Sequence, residues 1–312
     1  MFVGLMLILS CFVFPAHVAR ASHTQGSTDK TEITPTQDVA DATVNLYCRT
    51  KTGRKIISTS GSGVFVSDRG VILTNAHVAQ YFLLGDTEKK VSTQCSVRAG
   101  SPARERYRAS VLYFPPLWVE KNADELAKKQ PKGTGEEDFA LLYITGAKKG
   151  TLPDHFPVLA VDTTGTAGED AAVTITGYPT EKLGFDGVQR KLAMTSASST
   201  ITGTNGFGRS GSADVLTLAP SAAGSHGISG GPVLDTDGEV IGIAVAKGAA
   251  ENDRTLRAIT LSYIERIVRT RSAFPLDILL AGDFAAEARI SDRALPPDTR
   301  TIIANALLKQ KK

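Results

Sequence analysis

Several things are scarce in this chain of 312 residues. It has three Cys, one Trp and three Met, aromatic residues make up 6% of it, and 35 basic against 32 acidic residues leave a formal net charge of +3. No long basic block and no aromatic-rich RNA motif occur, which argues against nucleic acid as a partner. No internal repeat stands out. The one long apolar stretch, Met1 to Phe14, is too short for a membrane span. With Ala19-Arg20-Ala21 behind it, it reads as a signal peptide cleaved after Ala21, although no Lys or Arg precedes the apolar run. An uncleaved anchor is the alternative. With Cys11 removed, Cys48 and Cys95 remain, an even pair that suggests one disulfide in an exported protein, against two buried thiols. A secreted or periplasmic protein without stable membrane insertion is expected. Histidine is scarce as well: there are five, and none follows residue 226.

What is present centres on Gly227-Ile228-Ser229-Gly230-Gly231-Pro232. A serine hydroxyl is a poor nucleophile unless a base takes its proton and donors stabilise the oxyanion formed on attack. Glycines beside it let the backbone turn tightly enough to aim N–H groups at that oxyanion. Upstream, Thr74-Asn75-Ala76-His77 follows the apolar run Val71-Ile72-Leu73, so His77 stands where a strand ends. Between them, Glu136-Glu137-Asp138 precedes the β-rich run Phe139-Ala140-Leu141-Leu142-Tyr143-Ile144. The chain thus offers His, Asp and Ser in that order, each at the edge of an expected strand. In such a set the histidine accepts the serine proton, and the carboxylate fixes its tautomer and stabilises the imidazolium. The pattern Gly227-x-Ser229-x-Gly231 also fits the nucleophile elbow of α/β-hydrolases, where the order is Ser, acid, His. The missing downstream histidine excludes that reading. Taken singly, His77 reads as structural, Asp138 as a cap or turn residue, and the serine among glycines as a turn; their order in one chain favours the chemistry.

The sequence resembles the chymotrypsin-like (trypsin-fold) serine proteases, and within them the HtrA-like bacterial branch. The resemblance rests on Gly61-Ser62-Gly63-Val64-Phe65-Val66 leading into Thr74-Asn75-Ala76-His77, on Asp138-Phe139-Ala140-Leu141-Leu142, and on Thr176-Gly177-Tyr178-Pro179. The Gly227 to Pro232 run and Gly238-Glu239-Val240-Ile241-Gly242-Ile243 complete it. It covers about residues 40 to 270. It implies His77 as general base, Asp138 as its partner and Ser229 as nucleophile, with the backbone N–H groups of Gly227 and Ser229 forming an oxyanion hole. It also implies an all-β fold of two antiparallel six-stranded Greek-key barrels with the site in the cleft between them. The function implied is a serine endopeptidase acting on polypeptide substrates through an acyl-enzyme, with no cofactor and no metal. A catalytically silent binding protein of the same fold and an esterase are the alternatives. Oligomeric state is left open.

Specificity follows from the same resemblance. Where trypsin-like zymogens carry an aspartate that pairs with a freed N-terminal amine stands Ile228, so activation of that kind is not expected. The base of the primary pocket falls on Ala223 and its wall on Ala244, Val245 and Ala246, with His226 and Lys247 near the rim. These uncharged positions point to small or medium apolar residues before the scissile bond. One methylene is worth only about 1–3 kcal/mol, so the preference should be loose.

Along the chain, residues 1–21 read as the signal peptide, 22–38 as a flexible leader, 39–150 as the first barrel, 151–271 as the second barrel with its closing helix, and 272–312 as a helical tail. The tail is too short for the peptide-binding PDZ domain that HtrA-like relatives often carry. Short β-rich segments at residues 43–47, 64–66, 71–73, 140–144, 172–175, 215–218, 240–245 and 256–259, several parted by Gly-containing turns, carry the all-β reading. Pro102 to Gly135 is expected to break the strand pattern as a surface excursion with a short helix over Asn122 to Lys132. Gly203 to Ser212 is expected to be mobile. Ser262 is expected to cap a helix over Tyr263 to Arg269, and a further helix is expected over Thr299 to Leu308.

Overall fold

In the computed structural model the described residues are 32–53, 55–85, 91–126, 135–165, 167–208, 211–222, 226–245, 256–272 and 274–309. The signal-peptide reading therefore lies outside them.

Six strands close the first barrel in the order β2-β3-β4-β7-β6-β5. They are β2 (Thr43–Thr52), β3 (Lys55–Ser67), β4 (Val71–Thr74), β5 (Val91–Ala99), β6 (Arg104–Tyr113) and β7 (Ala140–Ala147). Their inward residues, among them Val44, Leu46, Phe65, Ile72, Val97 and Leu142, form one apolar core. Cys48 of β2 stands directly opposite Cys95 of β5 in the strand register, and the two form a disulfide.

The second barrel is built from β8 (Ala172–Gly177), β9 (Thr195–Asn205), β10 (Val215–Leu218), β11 (Pro232–Leu234), β12 (Val240–Val245) and β13 (Leu256–Thr260). They run β9-β10-β13-β12-β11-β8, and β8 pairs back onto β9 to close the ring. A short β1 (Glu32–Ile33) adds to the outside of β9, so part of the stretch read as a leader is a paired strand. Both barrels are antiparallel throughout. This is the expected pair of six-stranded barrels. A separate apolar cluster draws on both barrels and on the closing helix; Leu73, Phe139, Leu234, Ile243 and Ile264 belong to it.

Eight helices complete the described chain: α1 (Gln37–Ala42), α2 (Ala76–Ala79), α3 (Pro116–Leu126), α4 (Phe185–Arg190), α5 (Leu261–Arg271), α6 (Leu276–Ala281), α7 (Phe284–Ala294) and α8 (Thr299–Lys309). Helix α5 is capped by Thr260, whose side chain accepts from the Tyr263 N–H, and not by Ser262 as expected. The tail folds onto the first barrel: Ile303, Ala306 and Leu307 of α8 join its core, and Arg300 donates to the Leu83 carbonyl.

Two further expectations are corrected. The excursion after Pro102 begins with β6, a full barrel strand whose charged start, Arg104-Glu105-Arg106, hides its alternation. The helix in that excursion starts at Pro116, not at Asn122; proline suits the first helical turn, where its missing N–H has no partner to lose. Residues 127–134 lie outside the described chain. In the stretch from Gly203, β9 runs through Asn205, the Phe207 N–H donates to Asp214 at 2.9 Å and the Phe207 ring packs on Tyr263, while residues 209 and 210 lie outside the described residues.

Candidate active site

Strand β4 delivers His77 to the junction of the two barrels. Its last residue, Thr74, donates its hydroxyl to the Ser62 carbonyl of β3 at 2.7 Å, and α2 begins two residues later. The turn before β7 delivers Asp138. Its carboxylate accepts the His77 backbone N–H at 2.8 Å through Oδ1 and faces His77 Nδ1 at 2.7 Å through Oδ2. Asn75 donates its side-chain amide to the Asp138 carbonyl at 2.8 Å. An ionised carboxylate can only accept, so Nδ1 carries the ring proton and Nε2 is left as an acceptor. The Asp138 side chain is 9% exposed and that of His77 36%, so the pair hides its carboxylate and presents the outer edge of the imidazole.

Two influences oppose each other at His77. Burial, the largest, pushes the imidazolium pKa down; the charge of Asp138 and its hydrogen bond push it up and together prevail, so the net shift is upward from 6.5. A raised histidine pKa contributes stability in full below 6.5 and loses it as pH rises through the folded value.

Ser229 is buried, on the turn that joins β11 to the preceding loop. Glycine is required around it for reasons of space and backbone angle. At Gly230, with φ of 84°, a Cβ would lie 2.3 Å from both the Ser62 carbonyl oxygen and Thr74 Oγ1, and 3.1 Å from the Asn75 nitrogen. At Gly231 it would lie 2.1 Å from the Thr176 carbonyl oxygen. The serine turn is thus pressed directly against the strand end that carries His77. Ser62 ties the two together: its N–H donates to the Ser229 carbonyl at 2.8 Å, its hydroxyl donates to the Gly227 carbonyl at 2.7 Å, and that hydroxyl accepts the Tyr178 N–H at 2.9 Å.

The orientation of the Gly227 amide is set from the other side. The His226 carbonyl accepts from the Thr180 N–H at 2.7 Å and from the Thr180 hydroxyl at 3.2 Å. A planar trans peptide points its N–H opposite to its carbonyl, so the Gly227 N–H points away from Thr180. Among the described residues no acceptor engages the N–H of Gly227 or Ser229, and no hydrogen bond joins Ser229 Oγ to His77. The arrangement can supply a polarised imidazole, a hydroxyl and two unengaged amides to one reacting group.

Of the residues singled out in the sequence, the fold brings His77, Asp138, Gly227 and Ser229 together where the two barrels meet. Ala244 is buried behind them: its carbonyl accepts the Gly230 N–H and its own N–H donates to the Gly231 carbonyl, both at 2.8 Å. Val245 is half-buried at the end of β12, and His226 is exposed. Ala223, Ala246 and Lys247 lie outside the described residues. Ile228 is buried in the second barrel core with Ile175 and Val233. Sequence reasoning missed Ser62, Thr74, Asn75 and Thr180 as structural partners of the site. Ser62 and Thr74 stood inside motifs already noted, and only their cross-chain hydrogen bonds reveal what they do.

The chain belongs to the trypsin-like peptidase domain family, which matches over residues 61–243. It is 28% identical over 244 residues to serine protease HTRA1A of Danio rerio, covering 75% of this chain and 42% of that protein. It is 30% identical over 200 residues to serine protease HTRA4 of Mus musculus, covering 64% of this chain and 32% of that protein. The chain therefore spans less than half the length of these curated relatives.

Proposed function

We propose that this chain is an exported serine endopeptidase that hydrolyses peptide bonds through His77, Asp138 and Ser229. The observation that carries the reading is the Asp138 carboxylate spanning the N–H and Nδ1 of His77, pressed against the Ser229 turn with its unengaged amides. When substrate fills the cleft, Ser229 Oγ turns onto His77 Nε2. It loses its proton there and attacks the peptide carbonyl carbon. The Gly227 and Ser229 N–H groups hold the oxyanion. The tetrahedral species collapses as the imidazolium gives its proton to the leaving amine, which leaves an acyl-Ser229 ester. Water then repeats the sequence, with His77 again as base, and frees the acid.

Val245, half-buried and without charge at the end of β12, supports a preference for small or medium apolar side chains before the scissile bond, whereas the Ala244 side chain is enclosed in the second barrel core and does not line a pocket. The Cys48–Cys95 disulfide supports a secreted or periplasmic location, since such bonds persist in oxidising compartments. The absence of a Ser229–His77 hydrogen bond favours a second reading, a silent scaffold of the same fold. A fluorophosphonate probe separates the two: labelling that disappears in Ser229→Ala supports the enzyme, and unlabelled folded protein supports the scaffold. A peptide library read alongside ester substrates then separates endopeptidase from esterase.

A further inference from the structure

Directly before Asp138 stands a residue that the catalytic reading does not use. The Glu137 side chain is fully buried, and its backbone has φ of 56°, a left-handed conformation that costs a non-glycine residue about 1–2 kcal/mol. This conformation shapes a tight turn in which the Asp138 N–H donates to the Gly135 carbonyl at 3.1 Å and the Phe139 N–H to the Glu137 carbonyl at 2.9 Å. Two distant helices hold Glu137 in place. Tyr263 of α5 accepts the Glu137 N–H at 3.0 Å. Arg271, at the end of the same helix, lies 2.9 Å from Oε1, and Lys121 of α3 lies 3.5 Å from it while also pairing with Glu136. Tyr113 of β6 stacks its ring on Phe139. Burial foremost, then the Glu137 charge, pushes its hydroxyl upward, and Tyr263 is also shifted upward by burial; both stay protonated. The charged partners of the Glu137 carboxylate among the described residues are therefore Arg271 and Lys121.

A buried carboxylate whose partner is removed is strongly destabilised. Its place directly before Asp138, at a left-handed backbone angle and in contact with two helices, lets it fix the turn that carries Asp138. We infer that Glu137 is a positioning residue: anchored by Arg271 and Tyr263 of the closing helix and by Lys121 of α3, it sets the turn that aims the Asp138 carboxylate at His77. The catalytic role of His77 and Asp138 rests on the function proposed above; the positioning itself does not.

NMR titration of the His77 side chain tests this without requiring turnover. Glu137→Gly removes the carboxylate at a backbone angle that glycine tolerates and keeps the N–H that Tyr263 accepts. In the folded variant the His77 midpoint should fall toward 6.5, as Asp138 loses its aim. Arg271→Gln, which changes a partly exposed side chain, should move it the same way by less, and serves if Glu137→Gly does not fold. Glu265→Gln, on the outer face of α5, should not move it. On peptide substrate, Glu137→Gly should lower kcat about tenfold or more with KM within twofold. An unchanged His77 midpoint in a folded Glu137→Gly or Arg271→Gln protein overturns the inference. Absent labelling or hydrolysis in the unsubstituted chain overturns the catalytic reading instead, and the titration still decides the positioning.

Discussion

On the first barrel the site is made by side chains that hold one another: Asp138 accepts from His77 at two points, and Asn75 secures the Asp138 carbonyl. On the second barrel it is made where side chains are missing, because the Ser229 turn fits only while Gly230 and Gly231 leave room for the Ser62 and Thr176 carbonyls. The first half is fixed by charge and directed hydrogen bonds, the second by close backbone approach. Each half therefore tolerates different changes; Ser62 stitches them together, and Thr180 braces the second half from within its own barrel.

The largest effect should come from the glycines. Gly231→Ala would drive a methyl group to 2.1 Å from a backbone oxygen that cannot swing aside. Loss of more than about 3 kcal/mol of stability, with no fluorophosphonate labelling, is expected; thermal melts and labelling at 20 °C check it. Asp138→Asn should preserve the fold and strike the other half alone. The amide can donate where the carboxylate accepts, the imidazole tautomer is lost, and kcat should fall about 10⁴-fold with an almost unchanged melting temperature.

The contacts that support the Ser229 turn should give smaller effects. Thr180→Pro removes both donors to the His226 carbonyl, so the Gly227 amide loses its imposed direction. A fall in kcat of about 10²-fold, the usual worth of one oxyanion donor, is expected in steady-state kinetics. Ser62→Ala leaves the Gly227 carbonyl and the Tyr178 N–H without their shared hydroxyl while keeping the backbone bond to Ser229. Chemical denaturation should show a loss of about 1–3 kcal/mol, accompanied by a modest fall in kcat.

Much of this fold is legible in the amino-acid sequence where apolar β-formers run together, as in Val240-Ile241-Gly242-Ile243-Ala244-Val245 of β12 or Ala140-Leu141-Leu142-Tyr143-Ile144 of β7. Strand β9 is not legible in this way, because Thr195-Ser196-Ala197-Ser198-Ser199-Thr200 has little apolar alternation; it is a strand because β8 and β10 pair with it on both sides. The Lys/Glu-rich run after Asn122 drew attention away from Pro116, where α3 begins. His77, Asp138 and Ser229 could be picked out because each stands in a local motif at a strand edge. Thr180, Ser62 and Glu137 could not be given roles, since the contacts that define them, to His226, Gly227 and Tyr263, span 46 or more residues of chain and no periodicity records such contacts.

The most direct test of a single working site assembled from both barrels is the rate of fluorophosphonate labelling as a function of pH. His77 must be neutral to take the Ser229 proton, and its pKa is raised by Asp138 against the effect of burial. The labelling rate should therefore climb with pH through a midpoint above 6.5 and vanish in His77→Ala and in Ser229→Ala. Labelling that is flat across that range, or that survives either substitution, would contradict the account.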